Sequence, residues 1–160
     1  MQAEPVAQHR WLQRLIGEWT AEGTADAGPD KPPEKFEMTE SVRGIGGLWV
    51  QGEGRGRMPD GSPTVMLITL GYDPVAQRFR GTWIGSMMTH LWIYDGTLDA
   101  GGTTLTLESE GPSFAGDGTI GKYRDVVELV NDDHRILTSH VLRPDRTWTK
   151  FMTANYRRVR

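Results

Sequence analysis

Turn-forming residues recur about every ten positions along this chain, and that rhythm limits what it can fold into more than any other feature. The turns fall at Gly46-Gly47, Pro59-Asp60-Gly61, Asp73-Pro74, Asp99-Ala100-Gly101-Gly102, Asn131-Asp132-Asp133 and Pro144-Asp145-Arg146. Each lies between runs of β-branched and aromatic residues, the pattern of an antiparallel all-β protein. The runs predict ten strands, over 18–24, 35–44, 48–57, 64–72, 78–85, 90–98, 103–110, 121–130, 134–142 and 147–157. Ten strands joined mostly by hairpins form an up-and-down meander, and closing it into a barrel removes its two exposed edges.

One helix is predicted before the barrel, over 5–16. Pro5 suits a first turn, Trp11 and Leu15 stand four apart, as do Leu12 and Ile16, and Gly17 can stop the helix. Its narrow apolar stripe lays it across one barrel mouth. Two links exceed hairpin length: residues 25–34 and 111–120 are rich in Gly, Pro and Asp and have no apolar period, so both read as surface loops, either of which can lie over a portal.

The chain's 160 residues fit one domain spanning 1–160 and bury roughly two thirds of the unfolded surface. Cysteine is absent, which excludes thiol nucleophiles, disulfides and cysteine metal sites. No segment approaches the ~18 apolar residues of a membrane-spanning helix or shows a secretory core, so a cytoplasmic protein without a membrane partner is expected. The net charge of −3, with both signs interleaved, gives no field for nucleic acid.

Alternation assigns faces. Strand three places Leu48, Val50, Gly52, Gly54, Gly56 and Met58 on one face, and three successive inward glycines leave a hollow that side chains or a ligand must fill. Phe36, Met38, Glu40 and Val42 share a face of strand two, with Glu40 the one charge in an apolar set. Phe79, Gly81 and Trp83 share a face of strand five; His90, Trp92 and Tyr94 share one of strand six. The predicted interior site is drawn from Glu40, Gly52, Gly54, Trp83, His90, Trp92, Tyr123 and His140. Packing alone also accounts for Trp83 and Trp92, and pairing with an interior Arg accounts for Glu40.

Several short motifs, taken in order, carry a resemblance. A helix ending Leu15-x-Gly17-x-Trp19 leads to Gly46-Gly47-x-Trp49, then Gly71-Tyr72-Asp73, Gly81-Thr82-Trp83 and a closing Tyr156-Arg157. Over nearly the whole chain this order resembles the bacterial family called domain of unknown function 1579. The resemblance implies a calycin-like barrel with a cavity, similar to lipocalins, fatty-acid-binding proteins and the haem-binding nitrobindins, and implies no agreed activity. It also implies that Gly17 and Trp19 plug the closed end beneath an Arg of the last strand, Arg157 or Arg158. A haem would be held by His140, the position the likeness carries over, or by His90.

His9 and His134 read as solvent-facing. His134 and His140 share a face but stand roughly 20 Å apart, too far to bind one metal. Gly-x-Ser-x-Gly, His-Glu-x-x-His and phosphate loops are all missing, so no catalytic or metal residues are assigned. An acid–base pair of His90 or His140 with Glu40 or Asp125 is the one enzymatic arrangement the residue types leave open. The expected function is binding of a small apolar molecule inside the barrel. The alternatives are nitrobindin-like haem binding and a filled barrel acting through its surface as a homodimer.

Overall fold

The structure, a computed structural model, describes residues Met1–Arg160. Ten antiparallel strands follow one helix, α1 (Ala7–Gln13): β1 (Gly17–Ala25), β2 (Glu34–Ile45), β3 (Trp49–Arg57), β4 (Pro63–Asp73), β5 (Arg78–Gly85), β6 (Trp92–Leu98), β7 (Thr104–Pro112), β8 (Ile120–Asn131), β9 (His134–Leu142) and β10 (Trp148–Arg158). Each strand pairs with its neighbours in sequence, and β1 pairs with β10 from Trp19↔Arg158 to Ala25↔Met152, closing the barrel. The meander therefore has no free edge.

The predicted strands all form, with small shifts at their ends. Strand six starts at Trp92 rather than residue 90, and the long loop shortens because β7 runs on to Pro112 and β8 begins at Ile120. The helix is shorter than the predicted 5–16. Val6 caps it, and after Gln13 the chain tightens into i→i−3 bonds, Leu15 N–H to Leu12 O (3.0 Å) and Ile16 N–H to Gln13 O (3.2 Å). Gly17 then takes φ +139°, a conformation that disfavours a side chain, and a Cβ there would collide with the Arg158 guanidinium. The helix thus turns into β1 within one residue.

Alternation holds along most strands, and the inward set forms the core. Trp19, Phe79, Leu12, Leu105 and Leu107 are its most deeply buried large side chains. They pack toward the helix end, where the Trp11 indole donates to Gly102 O (2.7 Å) and the Trp19 indole to Leu15 O (2.9 Å). His9 is buried there, against the expectation that it faces solvent: its Nε2 meets Tyr72 O at 2.9 Å while Nδ1 accepts the Val6 N–H. This end is shut. The opposite mouth is ringed by residues 26–33, 58–62, 86–91, 113–119 and 143–147. No helix of the chain is long and apolar enough to cross a membrane.

Candidate functional site

The floor is built around Trp19. Arg158 lies over its ring (4.3 Å to the centroid) and donates to the carbonyls of Arg14 (2.9 Å), Ile16 (2.5 Å) and Asp132 (2.8 Å). Of the two arginines offered by the sequence, Arg158 occupies the place. Arg157 points to solvent, since successive side chains of β10 alternate and its neighbour Tyr156 faces inward.

Above the indole sits a buried ion pair. Glu40, on the inward face of β2, bonds Arg135 on β9, and both side chains are about nine-tenths buried. The guanidinium also stacks on Trp19 (4.7 Å) and Tyr156 (4.0 Å), while its Nε has no partner. Burial pushes the Tyr156 hydroxyl well above its usual range. That hydroxyl points only at the Met38 sulfur, 3.7 Å away.

Halfway up the barrel, Asp125 on β8 accepts hydrogen bonds from Tyr94 (2.5 Å) and Ser139 (2.6 Å). Burial raises the Asp125 carboxyl, with the two hydroxyl bonds and nearby His140 opposing it; burial and then the Asp125 charge raise Tyr94. Asp125 stands on the inward face of β8 beside Tyr123 and Val127 and is only partly buried.

The glycine strip of β3 points inward as the alternation predicts, and methionines rather than indoles lie against it. A Cβ on Gly52 would meet the Glu40 carboxylate (3.0 Å) and Ile68 (3.1 Å); one on Gly54 would meet Met38 Cε (2.7 Å) and Met66 Cε (3.4 Å). Inward-facing Phe36, Met38, Met66, Ile68, Trp83, Trp92 and Met152 are only partly buried. Thioether side chains are flexible and readily repack. The upper half of the barrel is therefore soft where its floor is dense.

At the mouth, Trp92 is held edge-on between His90 (4.8 Å between centroids) and Tyr123 (5.1 Å), with its ring over Gly111. Phe114, from the loop between β7 and β8, packs against Tyr123 (5.6 Å) and Phe151 (5.0 Å) while remaining largely exposed. The Tyr123 hydroxyl donates to Pro112 O (2.5 Å).

The structure thus brings Glu40, Gly52 and Gly54 together below, and Trp83, Trp92 and Tyr123 above, with His90 at the rim. His140 does not join them. It lies on the outer face of β9, paired across the strands with Arg124 and Lys150, and Ser139 occupies the inward position beside it. The Nε2 of His90 is engaged with Glu110 O (2.9 Å). A haem held by an interior histidine does not fit this donor set, because no histidine projects into the barrel between floor and rim. The sequence-predicted acid–base pair does not form either: Glu40 bonds Arg135, Asp125 bonds two hydroxyls, and neither histidine bonds a carboxylate. No three His, Asp or Glu side chains stand close enough to hold a metal ion.

The sequence did not single out Arg135 as the interior Arg that pairs with Glu40, nor Tyr94 and Ser139 as the partners of Asp125. The available signal was parity: Tyr123, Asp125 and Val127 share a face on β8, and Arg135, Leu137, Ser139 and Val141 share one on β9.

At the rim a groove of about 780 Å³ runs from β6 to β10, reaching the inward residues Ser109 and Tyr123 beside His90. Leu91, Ile93, Ile120, Leu142 and Trp148 line it among charges of both signs. Arg124 lies over Trp148 there (4.0 Å) and pairs with Glu108 (2.9 Å).

The model of a family described as protein of unknown function (DUF1579) matches residues 4–158. No curated protein matches the sequence. Among solved structures, Rv2717c from M. tuberculosis is similar at a TM-score of 0.67 and 15% identity, covering 98% of this chain and 100% of that one. The S-type phycobiliprotein lyase CPES from Guillardia theta is similar at 0.59 and 10%, covering 97% and 94%. EF1p2_mFAP2b bound to DFHBI is similar at 0.51 and 12%, covering 96% and 100%. At such identities the likeness is one of fold.

Proposed function

The chain belongs to this DUF1579 family of proteins of unknown function, and we propose that it binds a small, mostly apolar molecule in the upper half of its barrel, entering by the mouth opposite α1. The observation that carries this reading is the unequal filling of the interior. The lower half is sealed by Trp11, Leu12, Trp19 and Phe79, while Met38, Met66, Ile68, Trp83 and Trp92 above are left partly accessible around the inward glycines of β3. Well-packed interiors leave few such voids. An apolar chamber with a few placed polar groups is the usual form of a small-molecule site. EF1p2_mFAP2b, a barrel of similar fold, is bound to DFHBI, which lends the reading support from shape alone. The calycin kinship implied by the motifs points the same way.

Trp83 and Trp92 are built-in reporters. Titration with the neutral probe N-phenyl-1-naphthylamine should quench their emission and raise that of the probe, and Trp92→Phe should remove much of the quenching. Tryptophan emission unmoved across the titration would sink the proposal.

A second reading, a homodimer formed through the outer surface, is favoured by one observation. Ile84, Leu91, Ile93 and Ile120 are each more than two-fifths exposed around β5, β6 and β8, an apolar concentration uncommon on a monomer. Sedimentation velocity at increasing concentration decides it, and a single monomeric species throughout would dismiss it.

A further inference from the structure

We propose that the interior site selects molecules bearing a hydrogen-bond donor, an amine or a hydroxyl, neutral or cationic, and turns away carboxylates; this rests on the interior-binding reading above. Below the rim, the inward-facing charged side chains are Glu40, Arg135 and Asp125. The first two neutralise each other in a pair sealed on Trp19 and Tyr156. No cation is left to meet an incoming carboxylate, and Asp125 would face it across a chamber of low polarity. Burying an unpaired anion there is costly.

The same groups suit a donor. The hydroxyl protons of Tyr94 and Ser139 are both committed to Asp125, so their oxygens and the remaining carboxylate lone pairs offer only acceptors to the chamber. Nearby Trp83 and Trp92 give a planar body edges and faces to pack on, and aromatic faces attract cations. The rim adds a field of the same sense. The loops around the mouth carry Asp26, Asp30, Asp60, Asp117 and Asp145 against Lys31, Arg143 and Arg146. Turn hydrogen bonds hold Asp60, Asp117 and Asp145 below the usual carboxylate range, so they stay ionised. The route inward is mildly anionic.

The test compares three probes that share one ring system, 2-naphthylmethylamine, 2-naphthalenemethanol and 2-naphthoic acid, by calorimetric titration of the full chain at pH 7.5. The expected result is binding of amine and alcohol, with the amine at least tenfold tighter than the acid. Asp125→Asn should narrow the amine-to-alcohol ratio by at least fivefold, and the wild-type ratios stand alone should that variant not fold. An acid bound as tightly as the amine overturns the selectivity and leaves interior binding intact. An amine-to-alcohol ratio unmoved by Asp125→Asn overturns the role of that carboxylate. Failure of all three probes to bind overturns the interior-binding reading and the selectivity with it.

Discussion

Replacing Glu40 by Ala strands the most deeply held cation in the molecule. The Arg135 guanidinium would keep its two aromatic faces, at 4.7 Å from Trp19 and 4.0 Å from Tyr156, and lose its only hydrogen-bond partner, its Nε being already unpaired. Stacking returns about 0.5–2 kcal/mol, whereas an ion left alone in a protein interior costs several kcal/mol. The expected loss is about 3–5 kcal/mol. The lower end applies if water follows into the gap beside Gly52, whose absent side chain leaves the Glu40 carboxylate bordering the chamber. For a chain of this length that is a fall in Tm of roughly 6–20 °C. Urea unfolding followed by tryptophan emission measures it. The double variant Glu40→Leu, Arg135→Met removes both charges at similar volume and should recover most of the loss. A deficit below about 1 kcal/mol for Glu40→Ala would refute the reasoning, because it would show the pair to be as well solvated as a surface ion pair.

The Asp125 carboxyl is raised by burial, so the native state holds its proton to higher pH than the unfolded chain and stability falls as pH rises through that interval. Asp125→Asn should therefore match wild type near pH 4 and gain over it toward neutrality, as read from urea midpoints across pH 4 to 8; a gap that shrinks with rising pH would contradict this. Gly54→Ala pushes only on the mobile Cε of Met38 and should change stability by less than about 1 kcal/mol while weakening N-phenyl-1-naphthylamine. Gly111→Ala instead drives a methyl into the indole of Trp92, wedged by His90 and Tyr123, and should cost about 1–3 kcal/mol in the same unfolding assay. Arg158→Ala removes charged hydrogen bonds to three carbonyls and should cost about 2–3 kcal/mol with faster amide exchange in α1, whereas Arg157→Ala should stay within about 0.5 kcal/mol. Equal effects for the two arginines would undo the assignment of the floor.

The barrel was legible because its strands are separated by turn chemistry that acts locally, and the glycine strip was legible because β3 alternates without interruption. The polar interior was hidden for a different reason. On β9 both faces mix polar and apolar residues, His134, Ile136, Thr138 and His140 against Arg135, Leu137 and Ser139, so period two groups the residues without telling which group faces inward. His140 was drawn inward by likeness, and the actual parity puts Ser139 there. On β10 a bulge between Lys150 and Met152 shifts the phase, which no residue type announces. Trp19 was recognisable from the Gly17-x-Trp19 step, but the choice between Arg157 and Arg158 turns on the same one-residue parity. His9 was missed because its burial depends on Tyr72, far away in sequence.

The join between β1 and β10 couples the first strand made to the last. As the chain leaves the ribosome, β1 through β9 can pair in order, each with the strand before it, yet the sheet stays open with β1 and β9 as bare edges until residues 148–158 emerge. Arg158 arrives only with that tenth strand, and it caps a tryptophan of the first. Nascent chains stalled short of β10 should therefore be sticky and protease-sensitive, however much of the meander has already formed.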